Sequence, residues 1–405
     1  MATSPILRSR PTALERHRPR AKQTNLTLFP TAARHGNCES VSGASAPPPE
    51  PDRSAKPATE LVGIARLAAS SPLAETKRGT EYFLLPVKSI LNQCNSERVP
   101  FRWTVNPYRG CEFGCKYCYA RYTHEYMELN ATEFETKIYA KQNAGGLIER
   151  DLSRHFGPAR SITIDHSAEH IAIGTATDPY QPAEIEFGAT RAILEKMAER
   201  EGLSLSIATK SNQVLQDIEL LQRISAKSSL TVSLSITTLR PRLARWLEPR
   251  APRPDLRLEA IRKLREAGIA AGVFAMPILP GLTDREEDLD ALAHGAKDAG
   301  ALWFTANVLF LMPSSWKPFL SFLETKFPRL VQRYRDLYRG YGDPPEQYSK
   351  EIASKVENLR QKYGLGSHPQ ASVTQAWQSP QLQLIWNNGR QGCRPRTVAS
   401  NCAAV

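Results

Sequence analysis

The sequence predicts an α/β protein built on a parallel sheet that curves into an open barrel, and three observations carry that prediction. From about residue 80 to about residue 312, short apolar runs alternate with amphipathic stretches, and strand and helix in alternation mean βαβ units. Two of the helical stretches run into glycines, Gly268 and Gly300, placed for left-handed C-terminal caps. Two successive strand candidates carry small polar residues on one face, although a parallel strand is ordinarily apolar on both.

The expected strands are 101–106, 161–166, 170–175, 203–209, 230–237, 268–278 and 302–311, with helices over 183–200, 214–225, 254–268 and 284–300. Along 203–210, Ser204, Ser206, Ala208 and Lys210 face away from Leu203, Leu205, Ile207 and Thr209. Along 231–236, Thr231, Ser233 and Ser235 oppose Val232, Leu234 and Ile236. Such faces either line a barrel interior or belong to edge strands with one solvated side.

Outside this region the chain reads differently. Residues 1 to about 60 are rich in Arg, then in Pro, Ser and Ala, so a disordered tail is expected; an Arg-rich, acid-poor start is also the composition of an organellar transit peptide. Residues 316–365 read as a helical C-terminal extension, with two helices broken at "GDPP", and 366–405 as an irregular tail. Basic and aromatic residues interleave over 328–364. That pattern suits a phosphate backbone with stacked bases and equally suits amphipathic helices closing a barrel.

The formal charge is +12, but residues 1–35 alone hold a net +6, from Arg8, Arg10, Arg16, Arg18, Arg20, Lys22 and Arg34 against Glu15. The rest is only mildly basic, which permits a nucleic-acid partner without demanding one. Seven cysteines, an odd number, and no apolar signal segment argue for a reducing compartment and a cytoplasmic protein. No apolar stretch approaches the roughly 20 residues of a membrane span.

Three of the cysteines, Cys111, Cys115 and Cys118, fall within eight residues in "CEFGCKYC". Clustered thiols hold zinc or iron. Zinc wants a fourth ligand, for which His124 is nearest, while Cys38, Cys94, Cys393 and Cys402 are isolated or terminal. Three thiols and no fourth suit a 4Fe-4S cluster with one iron left open.

The setting of that loop, "WTVNPYRGCEFGCKYCYARY", resembles the radical S-adenosylmethionine (SAM) superfamily. The stretches "GTATDPYQPAE", "ATKS", "LSITTLRPRLARWLEPRAPRPDLRLEAIRKLREAGI" and "PILPGLTD" extend the likeness to the spore photoproduct lyase or DNA repair photolyase-like group, over about residues 80–315. Within it the loop is most similar to bacterial proteins of the "NPYRGCEHGC" type.

The resemblance implies a partial (β/α)6 barrel, a 4Fe-4S cluster on Cys111, Cys115 and Cys118, and SAM chelated at the open iron. Reduced flavodoxin or ferredoxin would supply an electron, and SAM cleavage a 5′-deoxyadenosyl radical. It also implies cofactor contacts. Lys210 would meet the SAM carboxylate unless it is a surface lysine. Ser233 and Ser235 would meet the ribose or carboxylate, or simply line the barrel. Thr175, Thr177 and Asp178 would meet the amino group or ribose, though Asp178 before Pro179 is also a turn former. Arg245, Glu248 and Arg257 can pair around the cofactor or along helix faces, and Pro277 with Gly281 can set a turn against adenine.

Tyr117 and Tyr119 are candidates for a hydrogen-atom relay, against a packing role beside the cluster. Spore photoproduct lyase carries a cysteine beside its SAM-binding strand, and "GTATD" has none, so thymine-dimer repair is not expected. The competing reading is a non-catalytic iron-sulfur or zinc module that binds nucleic acid.

Overall fold

The computed structural model describes residues 60–96, 99–157, 169–339 and 342–369. The basic tail before residue 60, the expected strand 161–166 and the tail from residue 370 lie outside them.

Eleven strands form two sheets among the described residues. They are β1 (Leu73–Lys77), β2 (Thr80–Leu85), β3 (Leu91–Gln93), β4 (Trp103–Val105), β5 (Tyr108–Arg109), β6 (Lys137–Lys141), β7 (Ile171–Ile173), β8 (Ser204–Thr209), β9 (Ser229–Ser235), β10 (Ala270–Ile278) and β11 (Phe304–Val308). The larger sheet runs β11-β10-β9-β8-β7-β4-β3. Its six strands from β4 to β11 are parallel and stand in chain order, while β3 closes the β4 edge antiparallel. This is the partial (β/α)6 barrel.

The alternation of side chains works as the sequence predicts. Ile173, Ile207, Val232, Leu234 and Val273 face the helices and are fully buried in the main core. On the other face Thr104, Ala172, Ser206 and Thr231 are aligned across neighbouring strands. Smallness matters most at Gly272, where an added Cβ would stand 2.5 Å from the Trp303 ring. Trp303 in turn donates from Nε1 to Ser233 Oγ at 3.2 Å.

Several elements depart from expectation. The helix expected over 183–200 is two, Ala183–Phe187 and Ala189–Ala198, because Gly188 takes φ +57° between them. The segment 214–225 begins as a 3-10 turn (Asn212–Asp217) and is α-helical only over Ile218–Ser225. The helices Pro254–Glu266 and Glu286–Asp298 form as expected, with Gly268 and Gly300 at φ +79° and +74° beyond their ends.

The smaller sheet, in the order β1-β2-β6-β5, was not foreseen. Nor were the helices Ala144–Phe156 and Pro241–Leu247, whereas Pro313–Lys326 opens the helical extension expected from residue 316.

The helices Val331–Tyr338 and Glu346–Tyr363 flank the "GDPP" break. The second buries Ile352, Val356 and Leu359 in the main core and packs on Glu286–Asp298 and β11. Lys362 and Tyr363 both reach Asp290, at 2.6 and 2.9 Å. Gly366 then bridges Trp303 in parallel. Of the two readings of 328–364, its apolar side closes the barrel edge. Among the described residues no helix is long and apolar enough to cross a membrane.

Candidate active site

Immediately after β5 the chain turns sharply to form the cysteine loop. Gly110 has φ +80°, and an added Cβ would lie 2.5 Å from the Lys137 carbonyl oxygen. Gly114 repeats the left-handed turn at φ +62° between Cys111 and Cys115. Gly110→Ala is therefore expected to cost roughly 1–2 kcal/mol from the backbone conformation alone, and more from the carbonyl clash. A urea midpoint unchanged from wild type would sink that expectation.

Hydrogen bonds from distant segments hold the loop. The Cys111 N–H donates to the Phe134 carbonyl at 2.9 Å, and the Lys116 N–H to the Leu247 carbonyl at 2.9 Å. Gln181, fully buried, accepts from the Glu112 N–H at 2.9 Å and donates to the Gly110 carbonyl at 3.1 Å. The buried Arg121 pairs with Glu135 and reaches the Cys115 carbonyl at 3.3 Å.

Cys111, Cys115 and Cys118 belong to one apolar cluster with Phe113, Tyr117 and Leu247. Burial pushes all three thiols up, Cys115 to about 12. The Asp178 carboxylate and the other two thiols add to the effect on Cys111, whereas Lys210 opposes it on Cys115. Their mutual influence places them in one pocket. Among the described residues, no three His, Cys, Asp or Glu side chains close on a common ion position.

His124 does not complete a four-ligand set. Its Nε2 contacts the Lys137 carbonyl at 3.0 Å, its ring lies edge-on to Phe134 at 5.2 Å, and burial lowers its pKa to about 4.

Lys210 follows β8 at the C-terminal end of the barrel, where (β/α) barrels carry their sites. Its Nζ stands 5.9 Å from the centre of the Tyr117 ring. Burial acts to lower its pKa, but Cys115 and Glu248 outweigh burial and hold it above the ordinary lysine value. Tyr117 donates its hydroxyl to Glu248. Glu248 forms an ion pair with Arg257 at 2.6 Å, with side chains 0% and 1% exposed, and Arg257 also donates to the carbonyls of Ser235 and Pro252 at 2.8 and 2.7 Å.

Arg245, expected as a candidate member of that pairing, instead donates to the Pro249 carbonyl at 2.6 Å on the exposed side. It points away because helix Pro241–Leu247 presents only Leu243, Ala244 and Leu247 inward.

The remaining candidates divide. Asp178 ties the loop after β7 to the end of β8, accepting from Thr209 Oγ1 and the Lys210 N–H at 2.6 Å each and from the Tyr180 N–H at 3.0 Å. Thr175 Oγ1 bonds Thr104 and Asn106, and its carbonyl accepts the Tyr119 hydroxyl. Thr177 donates to the Tyr108 carbonyl at 3.2 Å. Ser233 is buried beneath Trp303, while Ser235 remains partly exposed.

Reasoning from sequence did not single out Asn106, whose Oδ1 accepts from the N–H groups of Ala176 and Thr177, nor Gln181 and Arg121. Their loop-holding bonds join residues up to 71 positions apart. Only the asparagine's place just ahead of the cysteine loop could have drawn notice.

Six parallel strands in an open barrel, with a three-cysteine loop beside a half-buried lysine, define the class. Residues 105–293 match the family model described as "Radical SAM superfamily". The chain is 35% identical over 320 residues to an uncharacterized protein of Mycobacterium tuberculosis, covering 78% of this chain and 90% of that protein. It is 32% identical over 193 residues to an uncharacterized protein of Methanocaldococcus jannaschii, covering 47% and 66%.

Its fold is similar to that of spore photoproduct lyase complexed with dinucleoside spore photoproduct, with TM-score 0.54, 16% identity, and coverage of 76% of this chain and 87% of that one. A spore photoproduct lyase mutant with bound AdoMet gives TM-score 0.53 at 17% identity, with the same coverage. The chain belongs to the radical SAM superfamily. It is an enzyme of that class, whose family cofactors are a 4Fe-4S cluster and SAM.

Proposed function

We propose that Cys111, Cys115 and Cys118 ligate the 4Fe-4S cluster and that the barrel holds SAM with a substrate beside it. When bound, these cofactors supply one-electron cleavage of SAM and a 5′-deoxyadenosyl radical that abstracts hydrogen. The carrying observation is the shared pocket itself. Three sulfurs, those of Cys111 and Cys115 buried and that of Cys118 partly so, are soft donors suited to iron and lie together in it.

The chain's own part is to bind, orient and exclude water. Lys210, kept cationic between Cys115 and Glu248, can meet the SAM carboxylate. Ser235, Thr175 and Thr177 sit at the same end of the barrel, and of these Ser235 keeps an accessible hydroxyl for a ribose or carboxylate. Asp178 and Ser233 serve this reading as positioning groups, since their polar atoms already engage the protein. The Tyr117 and Tyr119 hydroxyls are engaged likewise, which favours packing over relay. A flavodoxin or ferredoxin in a reducing, cytoplasmic setting would provide the electron.

A nucleic-acid substrate and lyase-type chemistry are supported only by the spore photoproduct lyase likeness in fold. The test is anaerobic: iron and sulfide reconstitution, dithionite and SAM, with 5′-deoxyadenosine measured. Its appearance above a protein-free control is the expected result. Iron uptake without SAM cleavage would favour the non-catalytic cluster module instead.

A further inference from the structure

Beside the cysteine loop, on the β3–β4 edge of the barrel, lies a cleft of about 80 Å³ lined in part by Asn106, Arg109, Tyr122, Tyr126, Lys141 and Thr177. Its charge is one-sided. Lys141 ends β6 and is 7% exposed. Its backbone N–H is taken by the Pro107 carbonyl at 3.1 Å, but among the described residues its ammonium makes no hydrogen bond or ion pair. Arg109 reaches the Thr123 carbonyl only at 3.4 Å, and its Nε is buried with no hydrogen-bond partner.

The acid acting on Lys141 is Asp151, whose Oδ1 has no hydrogen bond and stands 3.8 Å from Arg150, while its other oxygen is committed. Its Oδ2 accepts from the N–H groups of Ile90 and Leu91 at 2.8 and 3.1 Å and from Ser89 Oγ at 2.8 Å. Lys141 is buried and Arg109 half-buried, and an ammonium held out of water without a paired anion is costly unless something supplies one. Burial, followed by the charge of Arg109, lowers the Lys141 pKa to about 7, the behaviour of an ammonium that lacks its counter-ion.

We infer that this cleft binds a phosphate-type oxyanion between Lys141 and Arg109, as the anchor of a phosphorylated, ring-bearing ligand. A guanidinium fork and an ammonium together match phosphate geometry and charge. The ring preference comes from the wall opposite. Tyr122 and Tyr126 stand edge to face at 5.4 Å, and Tyr126 is 43% exposed, an open aromatic surface on which a base can stack. The wall shared with the cysteine pocket is thin, because Arg109 precedes Cys111 by two residues and Thr177 precedes Asp178. An anchored phosphate would thus sit next to the barrel mouth. The site stands on its own charges and geometry and does not depend on SAM cleavage.

Binding is tested on the full chain with three probes: inorganic phosphate, adenosine 5′-monophosphate and a short single-stranded oligonucleotide, each against wild type and Lys141→Met. Expected are a phosphate-dependent rise in melting temperature and binding weakened by about tenfold or more in the variant, as loss of a charge-assisted hydrogen bond implies. The variant without ligand should also melt no lower than wild type, since it sheds an uncompensated buried charge. Monophosphate binding as tight as oligonucleotide binding assigns the anion to a free nucleotide. Oligonucleotide binding that is much tighter and falls steeply with salt assigns it to a strand.

Wild type unmoved by all three probes, or Lys141→Met binding them equally, overturns the inference. If Lys141→Met does not fold, the lysine side-chain NMR titration of wild type decides. A Lys141 pKa that rises with phosphate supports the site, and one that stays put overturns it.

Discussion

Cys115→Ala, like Cys111→Ala and Cys118→Ala, is expected to bring SAM cleavage in the anaerobically reconstituted protein down to background and to lower bound iron in parallel. The loss should exceed the about 10–100-fold that removal of an outer partner of a metal site costs, because each sulfur is a proposed ligand. Cys94, the other described cysteine, follows β3 and acts on Tyr119 and Tyr122 beside the loop, but is not among the groups acting on the three loop thiols.

The substitution should not unfold the chain. Loop position depends on Gln181, Arg121 and backbone bonds to Phe134 and Leu247, none of which uses a thiol. Full cleavage by any one of the three variants would exclude that cysteine as a ligand. Equal iron content in all three would turn attention to a site elsewhere.

Arg257→Met is expected to destabilise the protein by about 3–5 kcal/mol, the usual effect of leaving one partner of a buried ion pair alone. That corresponds to a fall in melting midpoint of roughly 10 °C for a domain of this size. Glu248 is wholly buried, and without Arg257 it would keep the Tyr117 and Thr237 hydroxyls as donors and Lys210 as its nearest cation. A double variant, Glu248→Leu with Arg257→Met, should recover much of the loss, because it removes the charges instead of stranding one. A double variant no more stable than Arg257→Met would mean that the pair is not what holds this region.

The pH dependence has a definite sign. Burial acts to raise the Glu248 pKa, but Arg257 and Lys210 outweigh burial and hold it below the ordinary glutamate value. A folded pKa below the unfolded one means that the carboxylate stabilises the fold fully above about pH 4.5, and that this contribution is lost as pH falls through the folded pKa. The stability gap between wild type and Glu248→Gln should be constant at neutral pH and narrow only under acid conditions.

Much of the barrel was legible because its signals are short in range. Apolar β-branched runs at 170–175, 203–209 and 230–237 and the glycine stops at 268 and 300 are read within a few residues. The small sheet was not legible. β1 is "LAETK" and β6 is "KIYAK", strands too short and too charged to stand out from loop. The break at Gly188 was missed because a single glycine inside an apolar 3.6-residue repeat does not announce whether it will bend backward.

The same division runs through the site. The three cysteines lie within one local loop, so their association is written in the chain order. Arg245, Arg250, Arg253 and Arg257 all flank Glu248, and nothing local says which of them turns inward. Lys141 at the end of a short polar strand reads as an ordinary solvated lysine.

By itself, then, the sequence determined the class of fold, the three-cysteine loop and the small-residue lining of the barrel, since each depends on spacing along the backbone. Only the tertiary structure decided that Glu248 pairs with Arg257, that Asp178 and Ser233 spend their polar atoms inside the protein, and that Lys141 is buried beside a half-buried Arg109 with its ammonium unpaired. Burial and partnership are set by segments tens of residues away, and electrostatic energy follows the dielectric and the neighbours that those segments supply.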